Sequence, residues 1–182
     1  MRDYLPFFFG TACFSWISRH ALFNPRAHGF YRFFAWEAIL ALVLMNFPRW
    51  TEDPFAPHQL VSWALLIVSA FLVLQGLHLL VNLGKPAASR ADTDLFAFER
   101  TSELVTTGVF RYIRHPMYAS LLFLAWGAFL KDVSMAGGLL ALVASVALLL
   151  TALRDEAECR AYFGDAYLRY AETNKRFIPF VF

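Results

Sequence analysis

Between residues 60 and 83 the chain contains no Asp, Glu, Lys or Arg, and the run ends at Gly84-Lys85-Pro86. About 20 mostly apolar residues carry a helix across the hydrocarbon core of a bilayer. Backbone groups in hydrocarbon must be satisfied within the segment, so a run of this length folds as a spanning helix. Residues 29–47 are a second mostly apolar run, interrupted by Arg32 and Glu37 and closed by Arg49 and Trp50. Residues 117–130 form a shorter run that Pro116 can open, since proline suits a first helical turn. Residues 134–153 follow after only Lys131-Asp132-Val133, a turn tight enough to make 116–153 an antiparallel hairpin. Composition agrees: 59% of residues are hydrophobic and 16% charged, with mean hydropathy +0.49. A soluble domain carries about 25% charged residues.

The expected fold is all-α, a polytopic helical membrane protein with four or five transmembrane helices in one domain over 1–182. Residues 1–84 supply the N-terminal helices and 85–182 a core built on the hairpin. Residues 4–17 contain Pro6 and Gly10 and are crowded with Phe7, Phe8, Phe9, Phe14 and Trp16. Aromatic side chains gather at headgroup level, which favours an interfacial or partly inserted helix over a fifth span. No small-x-small cleavage site follows Met1-Arg2-Asp3, so this end does not read as a removed signal peptide. Lys85, Arg90, Arg100, Arg111 and Arg114 lie before the hairpin, and Arg154, Arg160, Arg169, Lys175 and Arg176 lie after it. The loop after the first clear span is acidic instead, with Glu52 and Asp53. By the positive-inside rule both basic segments face the cytoplasm, on one side of the membrane. Tyr162, Phe163, Tyr167 and Tyr170 alternate with charges in a helical manner, predicting a cytoplasmic amphipathic tail broken near Gly164.

A net charge of +2 without a basic tract gives no reason to expect nucleic acid as a partner. Cys13 and Cys159 lie in unlike settings, which makes a disulfide improbable, and no CxxC or HExxH suggests a metal. The expected partners are the lipid bilayer and a lipophilic acceptor.

The densest polar cluster, from Gly108 to Tyr118, lies at the threshold of the hairpin. Arg111, Arg114, His115, Tyr112 and Tyr118 surround Pro116 there. Polar side chains at a membrane boundary are costly unless they pair or hold something. A second cluster, Arg154-Asp155-Glu156-Ala157-Glu158, stands where the last span ends. Its carboxylates suit an ammonium and the first cluster offers donors to a carboxylate, so an amino acid moiety fits between them. Taken alone, either cluster also reads as interfacial anchoring.

Thr106-x-Gly108, then Tyr112-x-Arg114-His115-Pro116-x-Tyr118, resembles the first signature of the isoprenylcysteine carboxyl methyltransferase and phospholipid methyltransferase superfamily. Asp155-Glu156, Phe163-Gly164-x-x-Tyr167-x-x-Tyr170 and Phe177-Ile178-Pro179 resemble the second, with Asp155 where the usual pair is Glu-Glu. The resemblance covers the C-terminal half and implies methyl transfer from S-adenosyl-L-methionine at the cytoplasmic face of a bacterial inner membrane. It implies a cofactor pocket lined by Thr106, Gly108, Tyr112, His115, Pro116, Tyr118, Asp155 and Glu156, with Glu156 on the methionine ammonium. Cys159 then serves packing. The chain has no GxGxxG after a strand, in keeping with a site that is not a Rossmann fold.

Arg114, His115 and Glu156 are the candidate catalytic residues. A carboxylate acceptor needs a cationic anchor, for which Arg114, Arg154 and Arg160 are candidates. An amine, thiol or hydroxyl needs a proton acceptor, for which Glu156 or His115 could serve. The acceptor itself is open among isoprenoid or prenyl carboxylates and lipid amines or thiols. Two rival readings are an NADPH-dependent membrane reductase related to sterol reductases and a non-enzymatic scaffold. Glu37, inside the first clear span, reads either as functional or as a partner of Arg32, and His78 as a hydrogen-bonded helix contact. Trp126-Gly127 and Gly137-Gly138 read as close-packing positions.

Overall fold

The computed structural model describes residues 4–85, 96 and 98–181, and every extended regular element among them is helical. Helix α1 (Leu5–Ile17) and the single turn α2 (Arg19–Leu22) precede α3 (His28–Asn46) and α4 (Pro57–Leu83). The hairpin is α5 (Pro116–Phe129) and α6 (Met135–Phe163), followed by α7 (Asp165–Thr173). Pro57 and Pro116 open α4 and α5 in the first turn, where a missing N–H is no loss. Ser134 caps α6, its hydroxyl accepting the Gly137 N–H at 3.1 Å. Gly164, at φ +56°, ends α6 in the left-handed region that glycine tolerates best, so the tail breaks where expected. Pro86 and Arg90 of the basic segment, with Met1, Arg2 and Asp3, lie outside the described residues.

Among the described residues three helices are long and apolar enough to cross a membrane: His28–Arg49, Pro57–Leu83 and Met135–Phe163. This makes the polytopic helical expectation sound in outline. Helix α5 has 14 residues, about 21 Å at helical rise against a hydrocarbon core of about 30 Å. Its Ala119, Ala125 and Ala128 are fully buried, and it packs chiefly on α4 and also on α3 and α6. Alanines at 141, 144 and 152 in α6 are equally buried. Such small residues let helix backbones approach closely where water cannot drive association. Hydroxyls join α4 to α5: Ser62 donates to the Gly127 carbonyl and Ser69 to that of Ser120, both at 2.7 Å. Outward, α4 exposes Leu60, Ile67, Phe71 and Leu74, a surface suited to lipid.

Side-chain amides close the end of the bundle remote from the basic segments. Asn46 donates to the Ala128 carbonyl at 2.8 Å, and Lys131 donates to Gln59 Oε1 at 3.0 Å. The Lys131 ammonium also lies 3.4 Å from the centre of the Trp63 ring. The pairing of Arg32 with Glu37 does not form. Glu37 accepts from Thr11 Oγ1 at 2.6 Å, tying α1 to α3, and Arg32 bonds to Glu99. A carboxylate on a loop next to the helix start offered Arg32 a nearer partner than one deeper in the same helix. His78 bonds to Asn82 one turn on, and both cysteines are free thiols.

The tail is fastened to the stretch that precedes α5. The Arg114 N–H donates to the Lys175 carbonyl at 2.7 Å and the His115 N–H to that of Arg176 at 3.1 Å. A parallel bridge joins Ile113 to Lys175. Tyr170 donates to the Phe110 carbonyl at 2.7 Å. Two segments far apart in sequence therefore form one wall.

Candidate active site

His115 caps α5 in a non-helical conformation, φ −124° and ψ 63°, which turns its ring toward the last turns of α6. Asp155 and Glu156 are adjacent on that helix and share His115, one at each ring nitrogen, while their other partners differ. Asp155 Oδ2 lies 3.4 Å from His115 Nδ1, and Cys159 Sγ donates to Asp155 Oδ1 at 3.5 Å. Glu156 Oε1 receives Arg114 Nη2 at 2.9 Å, Arg176 Nε at 2.9 Å and His115 Nε2 at 3.3 Å. Arg114 also donates to the carbonyls of Ala171 and Asn174. Four of its five guanidinium N–H groups thus join α6, α7 and the tail. The Tyr118 ring stacks on His115 with centroids 5.4 Å apart.

A cavity of about 110 Å³ opens beside these groups. His28, Glu99, Arg114, His115, Tyr118, Asp155, Cys159 and Tyr167 form its polar lining. Leu80, Phe98, Leu104, Val105, Phe110, Met117 and Phe163 form an apolar one. Of the residues expected from sequence, Arg114, His115, Pro116, Tyr118 and Asp155 meet at this cavity. Glu156 is 2% exposed and sits behind it, enclosed by arginines. Thr106, Gly108 and Tyr112 do not line it. Gly108 has φ +59° and opens a short 3-10 turn, while the Tyr112 ring meets Phe180 at 6.5 Å. Cys159 lines the cavity rather than serving packing alone. Of the anchors considered for a carboxylate, Arg154 lies over the Tyr31 ring and Arg160 is 3.9 Å from Glu156; neither lines the cavity.

Sequence reasoning missed His28, Glu99 and Tyr167 as lining residues. His28 and Arg32, one turn apart at the start of an apolar helix, carried the same signal as the 108–118 cluster. Arg32 bonds to Glu99 and its guanidinium lies 4.2 Å over the Phe96 ring. Burial disfavours a charged Glu99, but Arg32 and His28 outweigh it and hold the carboxyl below its ordinary range. The Tyr167 hydroxyl is buried and has no hydrogen-bond partner among the described residues. Burial pushes its phenol above the ordinary range, so it remains a donor.

The His115 ring is opposed by burial yet raised above its ordinary pKa by Asp155 and Glu156. A raised histidine contributes stability that is complete below about 6.5 and lost as pH rises through the folded value. The melting temperature should therefore decline as pH rises above about 6.5, and His115→Gln should flatten that decline. Thermal melts of both proteins in detergent across pH 6 to 10 (a range set by roughly the ordinary histidine and lysine values) check it; equal slopes would refute it.

Helices of membrane-crossing length, with a partly polar cavity beside them, define an integral membrane protein. The phospholipid methyltransferase family model matches residues 58–165, more than half of the chain, and the protein belongs to that family. Its members are membrane methyltransferases that use S-adenosylmethionine, so this chain is an enzyme of that kind. The reductase and scaffold readings give way to this membership. No curated protein and no solved structure matches the chain.

Proposed function

We propose that the protein transfers a methyl group from S-adenosylmethionine to a lipophilic acceptor carrying a protic nucleophile, at the cytoplasmic face of a bacterial inner membrane. The whole chain acts as one domain, with α5 completing the bundle as a fourth, short span. The observation that carries this reading is the convergence of His115, Tyr118, Asp155 and an unpartnered Tyr167 hydroxyl on one cavity with an apolar side. That donor set fits the cofactor. Asp155 would hold the ammonium, Tyr167 would donate to the carboxylate, and the Phe98–Phe110 side would accept the adenine.

Bound S-adenosylmethionine supplies a methyl carbon on a sulfonium, activated for attack in line with the carbon–sulfur bond. Protein groups need only orient the reactants and exclude water. Glu156 acts as a positioning residue: it holds Arg114, Arg176 and His115, and through them the shape of the wall. A carboxylate acceptor is disfavoured, because Arg114 is engaged by Glu156 and two carbonyls and no other arginine among the described residues lines the cavity. Glu99 and Asp155 make the cavity receptive to cations and proton donors.

Calorimetry on the detergent-purified protein should show binding of S-adenosylhomocysteine and none of NADPH. Incubation with lipid extract and labelled S-adenosylmethionine should label an organic-soluble product. NADPH binding without S-adenosylhomocysteine binding would overturn the reading.

A further inference from the structure

A protic acceptor must lose a proton, and His115 is poorly placed to take it. It has a carboxylate within hydrogen-bond reach of each ring nitrogen, Asp155 3.4 Å from Nδ1 and Glu156 3.3 Å from Nε2, whereas His28 has one only at Nδ1, its Nε2 lying 3.7 Å from Glu99. The cavity contains a second histidine. His28 opens α3 and is 1% exposed, and it lies outside the residues matched by the family model. Glu158 grips this residue twice: Oε1 accepts the backbone N–H at 2.9 Å and Oε2 accepts Nδ1–H at 2.8 Å. A carboxylate on Nδ1 fixes the tautomer and leaves Nε2 as the basic position. Around Nε2 stand Arg32 Nη1 at 3.3 Å and Glu99 Oε2 at 3.7 Å. The neutral ring accepts from Arg32, and the protonated ring pairs with Glu99. Each protonation state therefore has a partner in place, as a residue that gains and loses a proton requires.

We infer that His28 is the proton acceptor of the reaction, taking the proton that a protic methyl acceptor loses. This inference rests on the methyltransferase reading above. The acceptor heteroatom forms a bond to the methyl carbon, the carbon–sulfur bond breaks with its electron pair left on sulfur, and the acceptor proton passes to Nε2 of His28. Glu158 is a positioning residue for the ring. The charged and titratable groups that face His28 are Glu158 and Asp155 from α6, Glu99 from the loop, Arg32 from α3 and Tyr118 from α5, whose ring centroid is 6.3 Å away.

The test uses the full chain in detergent micelles with dodecylamine, dodecanethiol and dodecanoic acid as probes. His28→Gln should keep S-adenosylhomocysteine affinity within about twofold by calorimetry, yet lose about 100-fold or more in kcat/KM on the protic probe that is methylated. The acid-side fall of the wild-type pH profile should vanish in His28→Gln and move to lower pH in Glu158→Gln, which removes the charge and keeps one of the two acceptor oxygens. Nitrogen-15 histidine spectra should show His28 protonated at Nδ1 and bare at Nε2 where the wild-type profile reaches its plateau. The assignment is overturned by an unchanged pH profile in His28→Gln, by methylation of dodecanoic acid alone, or by cofactor binding with no protic probe methylated. Failure of the wild-type protein to bind S-adenosylhomocysteine would instead overturn the methyltransferase reading itself.

Discussion

Glu156→Ala should lower the melting temperature by roughly 6–20 °C, the largest stability effect expected of any single change at this site. The Glu156 side chain is 3% exposed and the Arg114 side chain 9%. Arg176 and His115 share the same carboxylate, at 2.9 and 3.3 Å. Deleting the anion strands these cations together, and breaking a buried pair by removing one partner costs about 3–5 kcal/mol. At this chain length each kcal/mol corresponds to about 2–4 °C. Arg114 also holds the Ala171 and Asn174 carbonyls, so the loss should loosen the contact between α7 and the stretch before α5. Glu156→Gln keeps an acceptor oxygen and should lose less. Melts in detergent, with S-adenosylhomocysteine calorimetry alongside, check the assignment. An unchanged melting temperature with lost affinity would place Glu156 on the ligand instead.

The apolar runs that became α3, α4 and α6 were legible because crossing hydrocarbon leaves a chain few options, and length and hydropathy carry that constraint directly. Helix α5 was harder. Its apolar character reflects burial among α3, α4 and α6, and only its 14 residues reveal that it is too short to cross alone. The two signatures located the cavity because His115 and Asp155 lie in local motifs whose residue types are unusual at a membrane boundary. Which of two adjacent carboxylates faces the cavity was not legible. That depends on the rotation of α6 and on Arg176, which reaches Glu156 from beyond α7. His28 and Glu99 were missed for a related reason. Their meaning comes from α3 packing on α6 and on the loop, contacts between residues 67 and 130 positions apart. The pairing of Arg32 with Glu37 failed likewise, since helical spacing ignores partners that arrive from other segments.

Asp155→Asn should weaken S-adenosylhomocysteine binding by about 100-fold while leaving the fold intact. Of the adjacent carboxylates on α6, Asp155 lines the cavity, with its side chain 24% exposed, whereas Glu156 is enclosed behind it. An ammonium held by Asp155 in a poorly hydrated pocket is a charge-assisted bond. Losing the charge at one side of such a pair costs about 3 kcal/mol at the lower end, which is about two orders of magnitude in affinity. Asn preserves the size of Asp and can still receive the Cys159 thiol through its carbonyl oxygen, so cavity shape should be kept. The change also leaves His115 with Glu156 as a counter-charge, which limits the loss of stability. Calorimetry and thermal melts on the same preparation separate the outcomes. A large fall in melting temperature with little change in affinity would make Asp155 a structural partner of His115, and the ammonium would then have to be held by Glu99, the other carboxylate among the cavity-lining residues.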